Sequence, residues 1–387
     1  MLRGQSAHSP EPRPFHGSPL GAVTPVSPYR TRDMTREDWL KVVELKGCGE
    51  IPCSLVMAGA VWNEYRDGLT KIVKRYPDVF NESSLPEGGR VEYGARNRLS
   101  ELWRDRWGCT WNNAYAGIEG QVVEHPLADW DAFDHFAPPD PAHGDDLRAI
   151  DWPRERATIE TARKRGELTR GSTSHGFLFQ RLYYLRGFEN LMIDFATREP
   201  RLGRLIEMIL EFNLDIVRRY LEIGVDVMHF GDDLGMQERL TISPADWRRY
   251  IKPAYARLFG PCREAGAHVI LHSDGYIVDI MPDLVEIGVT ILNPQDLCNG
   301  LENIRRHLKG KVCIDLDVDR QKIVPFGTPD QIERHVQTCV ETLGSPEGGL
   351  MLVCGIYPGT PLANIEAVAR GMSRCRTMFC DAGRSRA

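Results

Sequence analysis

The sequence contains no long apolar run. Its longest apolar segments fall far short of the ~20 residues that a membrane-spanning helix needs, and no apolar stretch near the N-terminus resembles a signal peptide. Basic residues (48) do not outnumber acidic residues (54), and the net charge is −6. Because nucleic-acid-binding proteins usually show a basic face, we expect neither a membrane partner nor a nucleic-acid partner.

Two short motifs are also missing. The ten cysteines include no Cys-x-x-Cys pair, which would indicate a zinc or redox motif. No Gly-x-Gly-x-x-Gly segment marks a dinucleotide site. Disulfides are rare in reducing compartments, so we predict a cytoplasmic enzyme whose thiols are mostly free and act as small apolar core groups.

The chain divides into two parts by composition. Residues 1–33 are rich in proline, serine, glycine and arginine and lack apolar periodicity, which predicts a disordered tail. Residues 34–387 are predicted to form a single domain. Its first helix is expected in "MTREDWLKVVELKG", where Thr35 and Asp38 have the spacing of an N-terminal capping box.

From about residue 168, apolar strand-like segments alternate with amphipathic helical segments. The strand-like segments include "VDVMHFGDD", "AHVILHSDG", "VTILNPQD", "KVCIDLDVD" and "GGLMLVCGI". This alternation is typical of parallel strands joined by right-handed crossovers. Together with "IPCSLVMAG" and one strand from the irregular first half, the count reaches eight. We therefore predict an α/β fold, a (β/α)₈ TIM-type barrel with an irregular N-terminal extension; an open doubly wound sheet is the alternative.

Polar residues follow the predicted strands at the ends where such barrels carry their active sites. In chain order these are Ser172, His175, His229, Asp232, Asp233, His272, Asp274, Asn293, Gln295, Asp315, Asp317 and Cys354. Any one of them could instead cap a helix, but the set favours a functional site. We assign substrate binding to His175, Asn293, Gln295 and Asp317.

Two pairs within this set indicate particular chemistry. His272 and Asp274 lie on the same face of an extended segment, and with Cys354 they would form a three-ligand Zn²⁺ site with an open fourth position. A capping Asp274 and an inert, buried Cys354 explain the same residues equally well. Asp232 and Asp233 point to opposite faces of a strand, so one of them is expected to face the pocket as an acid or base.

These stretches resemble the uroporphyrinogen decarboxylase superfamily from about residue 36 to the C-terminus. The resemblance is clearest in "GFLFQRLYYLRGFENLMIDF", "GVDVMHFGDDLGMQ", "GAHVILHSDGYIVDIMPDLVEIGVTILNPQ" and "LVCGIYPGTPLANIEAV", and it implies a (β/α)₈ barrel. True decarboxylases bind substrate carboxylates with two N-terminal arginines, and Met57 and Val61 occupy those positions here. Cys354 replaces their late histidine, whereas Tyr183 matches their pocket tyrosine.

The resemblance is closer to the branch of methyltransferases that act on corrinoid proteins and thiols such as coenzyme M. Those enzymes bind zinc through a His-x-Cys pair and a later cysteine, to which His272, Asp274 and Cys354 correspond. This implies a metal-dependent methyltransferase acting on a corrinoid or a methoxylated small molecule, with Tyr183 and Asp232 or Asp233 in catalytic roles. The corrinoid would arrive on a partner protein.

Two other functions remain open at this point. One is a decarboxylase of uroporphyrinogen or a related carboxylated substrate in tetrapyrrole metabolism. The other is a barrel that binds a corrinoid or a tetrapyrrole without turnover.

Overall fold

The computed structural model describes residues 34–47, 49–80, 90–93, 97–99 and 102–379. The predicted disordered tail, residues 1–33, lies outside the described residues.

Two sheets organise the described part of the chain. Seven parallel strands form the main sheet: β1 (Cys53–Met57), β5 (Arg170–His175), β6 (Val227–Gly231), β7 (His268–Ser273), β8 (Ile291–Pro294), β9 (Cys313–Asp317) and β10 (Leu350–Ile356). Their order is β1-β10-β9-β8-β7-β6-β5. A smaller antiparallel sheet contains β2 (Leu102–Arg104), β3 (Thr110–Asn112) and β4 (Gln121–Glu124).

Helices alternate along the chain with the strands of the main sheet. They are α1 (Arg36–Val43), α2 (Gly59–Tyr65), α3 (Asp67–Arg75), α4 (Trp152–Lys164), α5 (Phe179–Arg186), α6 (Phe188–Thr197), α7 (Pro200–Ile223), α8 (Pro244–Asp246), α9 (Lys252–Glu264), α10 (Met281–Glu286), α11 (Asp296–Asn299), α12 (Leu301–Leu308), α13 (Ile323–Phe326), α14 (Pro329–Leu343) and α15 (Leu362–Cys375). The predicted capping box of α1 is present at Thr35 and Asp38. Searched over the described residues, these helices include none suited to span a membrane.

The main sheet curls into a half-barrel, in agreement with the predicted TIM-like α/β fold. The eighth strand of the prediction is not shown among the described residues. Among these residues, the edge strands β1 and β5 are not paired with each other. On the open side of β1, the Leu55 amide donates to the Val79 carbonyl at 3.3 Å. The small β2–β4 sheet was not predicted, because its strands are only three or four residues long and too short to show a period.

Residues on the two faces of each strand pack in different layers. Outward residues such as Leu271 and Leu316 belong to the large core beneath the helices. Inward residues at the amino ends of the strands form a separate small core with Trp39, Val42 and Val43 of α1: Val227, Ile270, Ile291, Cys313 and Met351. Helix α1 therefore covers the amino end of the half-barrel. Two residues further along β6, β7, β8 and β9, the inward positions become polar, with His229, His272, Asn293 and Asp315. On β10 the corresponding residue is Val353.

Candidate active site

The polar inward residues of neighbouring strands lie side by side. His175 of β5 is in register with Gly231 of β6, Gly231 with His272 of β7, and His272 with Asn293 of β8. One strand further, Gln295 pairs with Asp317. The carboxyl ends of the strands thus bring these predicted residues to one edge, as expected for a barrel of parallel strands.

A β-bulge in β5 turns His175 toward this edge. Ser172 pairs with His229 and His175 pairs with Gly231, so β5 uses three residues where β6 uses two. The extra residue changes the side-chain alternation and gives His175 the same inward face as Ser172. The ring centroids of His175 and His272 are consequently 5.6 Å apart. A Cβ atom at Gly231 would lie 2.5 Å from Nδ1 of His175, so this close approach requires glycine.

Asn293 fixes the orientation of His272. The Asn293 Nδ2 group donates to the Asp315 carbonyl, so its Oδ1 accepts from Nδ1 of His272 at 2.5 Å. Nε2 of His272 is buried and has no hydrogen-bond partner in the part of the chain that the structure describes. It lies 3.3 Å from Asp274 Oδ1 and 3.7 Å from Asp233 Oδ1. Burial alone would lower the pKa of His272, but the neighbouring carboxylates raise it to about 9. Asn293 therefore supports His272 rather than lining the cavity as predicted.

Asp233 is the member of the carboxylate pair that faces the cavity. Its Oδ2 accepts from Gln180 Nε2 at 3.0 Å and lies 3.2 Å from His175 Nε2. Its Oδ1 accepts from the Asp274 amide at 3.1 Å. The carboxylate thus lies between the two histidines, with one oxygen toward each.

Asp232 has a different environment. It accepts from the amides of Phe179 and Gln180 at the start of α5, at 2.5 and 2.8 Å, and from the Tyr255 hydroxyl at 2.8 Å. Burial raises the pKa of Asp232 to about 6, although these donors oppose the shift. Asp232 fixes the start of α5 on β6 and does not reach the cavity; among the predicted catalytic pair, only Asp233 does.

Arg320 lies on the other side of Asp274. Its Nη2 contacts Asp274 Oδ1 and lies 3.3 Å from Asp317 Oδ2, while Nη1 donates to the Tyr357 hydroxyl at 2.6 Å. Burial would raise the pKa of Asp274, but Arg320 and His272 hold it well below its usual range. Burial and the charge of Asp274 raise the pKa of Asp317 to about 7, against the effect of Arg320. Asp317 faces this ion pair, which differs from its predicted contact with substrate.

Two groups of side chains in this cluster have the spacing of metal ligands. The first contains His175, Asp233 and His272, and the second contains His272, Asp274 and Asp317. In each group the ligand atoms lie within 4.8 Å of one another. Two of the three predicted ligands, His272 and Asp274, are therefore adjacent.

The third predicted ligand, Cys354, is not part of either group. Its neighbour Val353 packs against the inner core, whereas Cys354 belongs to the outer core with Leu352 and Ile356. Burial raises the pKa of the Cys354 thiol well above its usual range. The side chain lies on the wrong face of β10 for the cluster, which corrects the predicted position of this residue.

The loops after β6 and β7 cross next to the cluster. The Gly235 amide donates to the Asp274 carbonyl at 3.2 Å, and the Tyr276 amide donates to the Met236 carbonyl at 2.7 Å. Gly275 has a φ of +79°, and a Cβ atom there would lie 2.3 Å from the Gly235 backbone. The Gly275 amide also donates to Gln295 Oε1 at 2.8 Å. Gln295 therefore positions the loop that carries Asp274. It also lines the cavity, where its contact with a substrate stays a prediction.

A cavity of about 1560 Å³ opens above the cluster. Its floor includes His175, Asp233, Asp274 and Arg320. Aromatic and other large side chains form its walls and rim: Trp111, Tyr115, Phe179, Tyr183, Tyr184, Phe188, Met236, Phe326 and Tyr357. Tyr183, predicted from the resemblance, lines this cavity, and its hydroxyl accepts from Gln180 Nε2 at 3.2 Å.

Three important residues were not predicted: Gln180, Arg320 and Tyr357. Arg320 follows Asp317 by three residues in "LDVDRQ", and a cation so close to a strand end is the signal that could have identified it. Gln180 and Tyr357 belong to segments that looked like ordinary helix and loop.

Known proteins resemble this chain in sequence and in fold. A family model described as uroporphyrinogen decarboxylase (URO-D) matches residues 111–374. The uroporphyrinogen decarboxylase of Thermus thermophilus is 31% identical over 173 residues, 43% of this chain and 46% of that protein. The enzyme of Syntrophotalea carbinolica is 28% identical over 163 residues, 42% and 45% of the two chains. The aligned part thus spans about half the length of these curated relatives.

Among solved structures, a methyltransferase from Methanosarcina mazei superposes with a TM-score of 0.55 at 17% identity. The superposition covers 84% of this chain and 94% of that one, and at this identity it is a likeness of fold. The family model, in contrast, matches more than half of the sequence itself. The chain belongs to the uroporphyrinogen decarboxylase (URO-D) family.

Proposed function

We propose that the protein is a metal-dependent methyltransferase that moves a methyl group between a corrinoid or methoxylated small molecule and an acceptor. The observation that carries this proposal is the environment of Nε2 of His272. This nitrogen is buried, lies 3.3 Å from Asp274 Oδ1, and has no hydrogen-bond partner among the described residues. It also shares a ligand-like group with His175 and Asp233 beneath the large cavity. The fold likeness to a methyltransferase supports the same choice within the family.

The residues present fit a metal ion best in the group of His175, Asp233 and His272. Imidazole nitrogen and carboxylate oxygen are both zinc ligands. Asn293 bonds Nδ1 of His272, so Nε2 is the nitrogen that would bind a metal after losing its proton. Metal-binding histidines commonly donate their other ring nitrogen in this way. Bound zinc would supply a Lewis acid that lowers the pKa of a thiol or polarises an oxygen.

Side chains of the chain itself would position the substrate. Gln180 Oε1 accepts from the Asp233 amide at 3.1 Å, which leaves Nε2 to donate to Asp233 and Tyr183. Because the Tyr183 oxygen accepts this bond, its proton remains available for a group in the cavity. Burial raises the pKa of Tyr183 above its usual range, so it acts as a neutral donor rather than as a base.

The cavity suits a large substrate. Pockets for ordinary small molecules measure ≈ 300–1,000 Å³, and this cavity, at about 1560 Å³, exceeds that range. A corrinoid carried by a partner protein is consistent with this size. No disulfide joins any two of the eight described cysteines, which fits the proposed cytoplasmic location.

Zinc analysis of matched variants tests the proposal. Purified protein is expected to bind zinc and to transfer a methyl group from a methylated corrinoid or methoxylated donor to a thiol. His175→Ala and His272→Ala should lose both properties. Cys354→Ala is the control and should keep its zinc, because Cys354 packs in the outer core. Loss of zinc in Cys354→Ala with retention in His175→Ala would refute the ligand assignment.

A decarboxylase is the second candidate, and the names of the curated relatives favour it. It predicts release of CO₂ from uroporphyrinogen by metal-free protein. The residues at the positions of the carboxylate-binding arginines, Met57 and Val61, weigh against it. Absence of CO₂ release under conditions that permit methyl transfer would exclude this activity, and any turnover would exclude a pure carrier.

A further inference from the structure

The two ligand-like groups of the cluster share His272 but differ in charge. In the group of His272, Asp274 and Asp317, both carboxylates already contact one cation, the Arg320 guanidinium. In the group of His175, Asp233 and His272, Asp233 receives its hydrogen bonds from Gln180 and the Asp274 amide and lies next to His175.

Arg320 is held firmly where it lies. Its side chain is 7% exposed, Nη1 donates to the Tyr357 hydroxyl at 2.6 Å, and its guanidinium carbon lies 5.4 Å from the centre of the Tyr357 ring. An arginine does not lose its proton in a protein. The positive charge between Asp274 and Asp317 is therefore permanent.

A metal ion in the same group would have to approach the same oxygens. Zinc–carboxylate distances are ≈ 2.0–2.2 Å, so the ion would lie next to Nη2 of Arg320, which contacts Asp274 Oδ1. Two cations at such a distance repel each other strongly in a buried site, where screening by water is weak.

We propose that Arg320 is the resident cation of the His272–Asp274–Asp317 group, that it excludes a metal ion from that group, and that it thereby confines metal binding to His175, Asp233 and His272. The second half of this statement rests on the proposed function; the first half does not. Arg320 is in this sense a residue that determines the place and the number of bound metal ions.

Zinc titration of four proteins tests the inference. Zinc per chain is measured by elemental analysis and by competition with a chromophoric chelator. Wild type and Arg320→Lys, which keeps the charge, are expected to bind one equivalent. Arg320→Met removes the charge and should bind one more zinc ion, held by the carboxylates of Asp274 and Asp317, because Nε2 of His272 has one lone pair and binds only one metal ion. Arg257→Met is the matched control, because Arg257 contacts two carboxylates, Glu207 and Glu211, at the surface, and it should behave as wild type.

The added site must depend on Asp274. The double variant Arg320→Met/Asp274→Asn should therefore lose the additional zinc. An Arg320→Met variant that is folded by circular dichroism and binds no more zinc than wild type would overturn the inference. If wild type binds no zinc, the proposed metal dependence fails, whereas a first equivalent gained by Arg320→Met would still support the role of Arg320.

A second variant keeps the test decisive if Arg320→Met does not fold. Asp274→Asn leaves Arg320 in place and is expected to bind one equivalent of zinc, with an affinity lowered by no more than about 100-fold, because Asp274 is a neighbour of the ligands and not a ligand in the proposed arrangement. Loss of the bound equivalent would show that Asp274 binds the metal directly, which contradicts the inference.

Discussion

At the scale of single residues, His272 is the centre of the site because its two nitrogens have different environments. Nδ1 is bonded to Asn293, and Nε2 faces Asp274 and Asp233 without a hydrogen bond. In the metal-free protein these carboxylates favour the imidazolium form. A metal ion at Nε2 would have to displace that proton.

The pH dependence of stability should report this proton. The folded-state pKa of His272 is about 9, above its usual value of 6.5. Its stabilising contribution, on the order of 3 kcal/mol, is thus complete below pH 6.5, declines above it and is lost as pH passes through 9. Urea unfolding of chelator-treated protein across this window measures it. In a His272→Gln variant, the free energy of unfolding should no longer fall between pH 6.5 and about 9 for this reason. An unchanged pH dependence would contradict the assignment.

Asn293 should control metal affinity without touching the metal. Asn293→Leu removes the oxygen that accepts from Nδ1 of His272. Loss of such a supporting partner typically weakens metal binding about 10- to 100-fold, which zinc competition would measure. The control is Gln337→Leu. Gln337 is an exposed amide on α14 that donates to Glu341, and its replacement should leave zinc affinity unchanged. Equal affinities in both variants would dispose of this role.

At the scale of elements, short irregularities at the strand ends bring the side chains together. The bulge in β5 turns His175 inward, and Gly231 leaves room for its ring. Both features act on one histidine, from two neighbouring strands.

Gly231→Ala should therefore disturb the site strongly, although it adds only one methyl group. The added methyl group would lie 2.5 Å from His175 Nδ1, so the ring must move and zinc affinity should fall about tenfold or more, with a stability cost of about 1–3 kcal/mol. Gly203→Ala on α7 meets no atom within 4 Å and should gain about 0.5–1 kcal/mol. Unaltered zinc binding in folded Gly231→Ala would contradict the close approach.

The crossing of the β6 and β7 loops allows a similar comparison. Gly275 and Gly266 have nearly equal φ angles, +79° and +77°, but only Gly275 also meets the Gly235 backbone, at 2.3 Å; Gly266 has open space. Gly266→Ala should cost about 1–2 kcal/mol for the backbone conformation alone. Gly275→Ala should cost clearly more, measured by thermal unfolding. Equal losses would mean that the loops separate easily.

At the scale of the whole molecule, Arg181 joins the small sheet to the half-barrel. Its guanidinium lies 3.1 Å from Asp105, between β2 and β3, and 2.8 Å from Asp145, before α4. Asp145 in turn accepts from the hydroxyl of Ser174 at 2.5 Å, inside the β5 bulge. The wall of the cavity and its floor are thus connected through one buried cation.

Arg181→Met should be strongly destabilising. It leaves two buried carboxylates without their cation, which typically costs about 3–5 kcal/mol. Arg204→Met breaks an exposed pair with Asp134 and should change stability by about 0–1 kcal/mol. Urea unfolding of both variants gives the comparison. Similar values for the two would show that the buried network contributes no more than a surface pair.

Much of this arrangement could be predicted from the sequence, for identifiable reasons. The alternation of strands and helices after residue 168 predicted the parallel sheet, and the strand-end rule predicted that His175, Asp233 and His272 lie at one edge. The face of Cys354 could not be predicted, because a strand buried on both faces shows no alternation. Nor could the bulge in β5 or the contact of Arg320 with Asp274, which depend on register and on side chains from distant parts of the chain.

The position of α1 has a kinetic consequence. Its residues Trp39, Val42 and Val43 fill the amino end of the half-barrel, so among the described residues the cavity at the carboxyl end is the route to His272. In the proposed function, a methyl donor and an acceptor would enter by the same opening, and whichever binds deeper must enter first. Steady-state rates should then show a compulsory binding order, with inhibition by excess of the outer substrate.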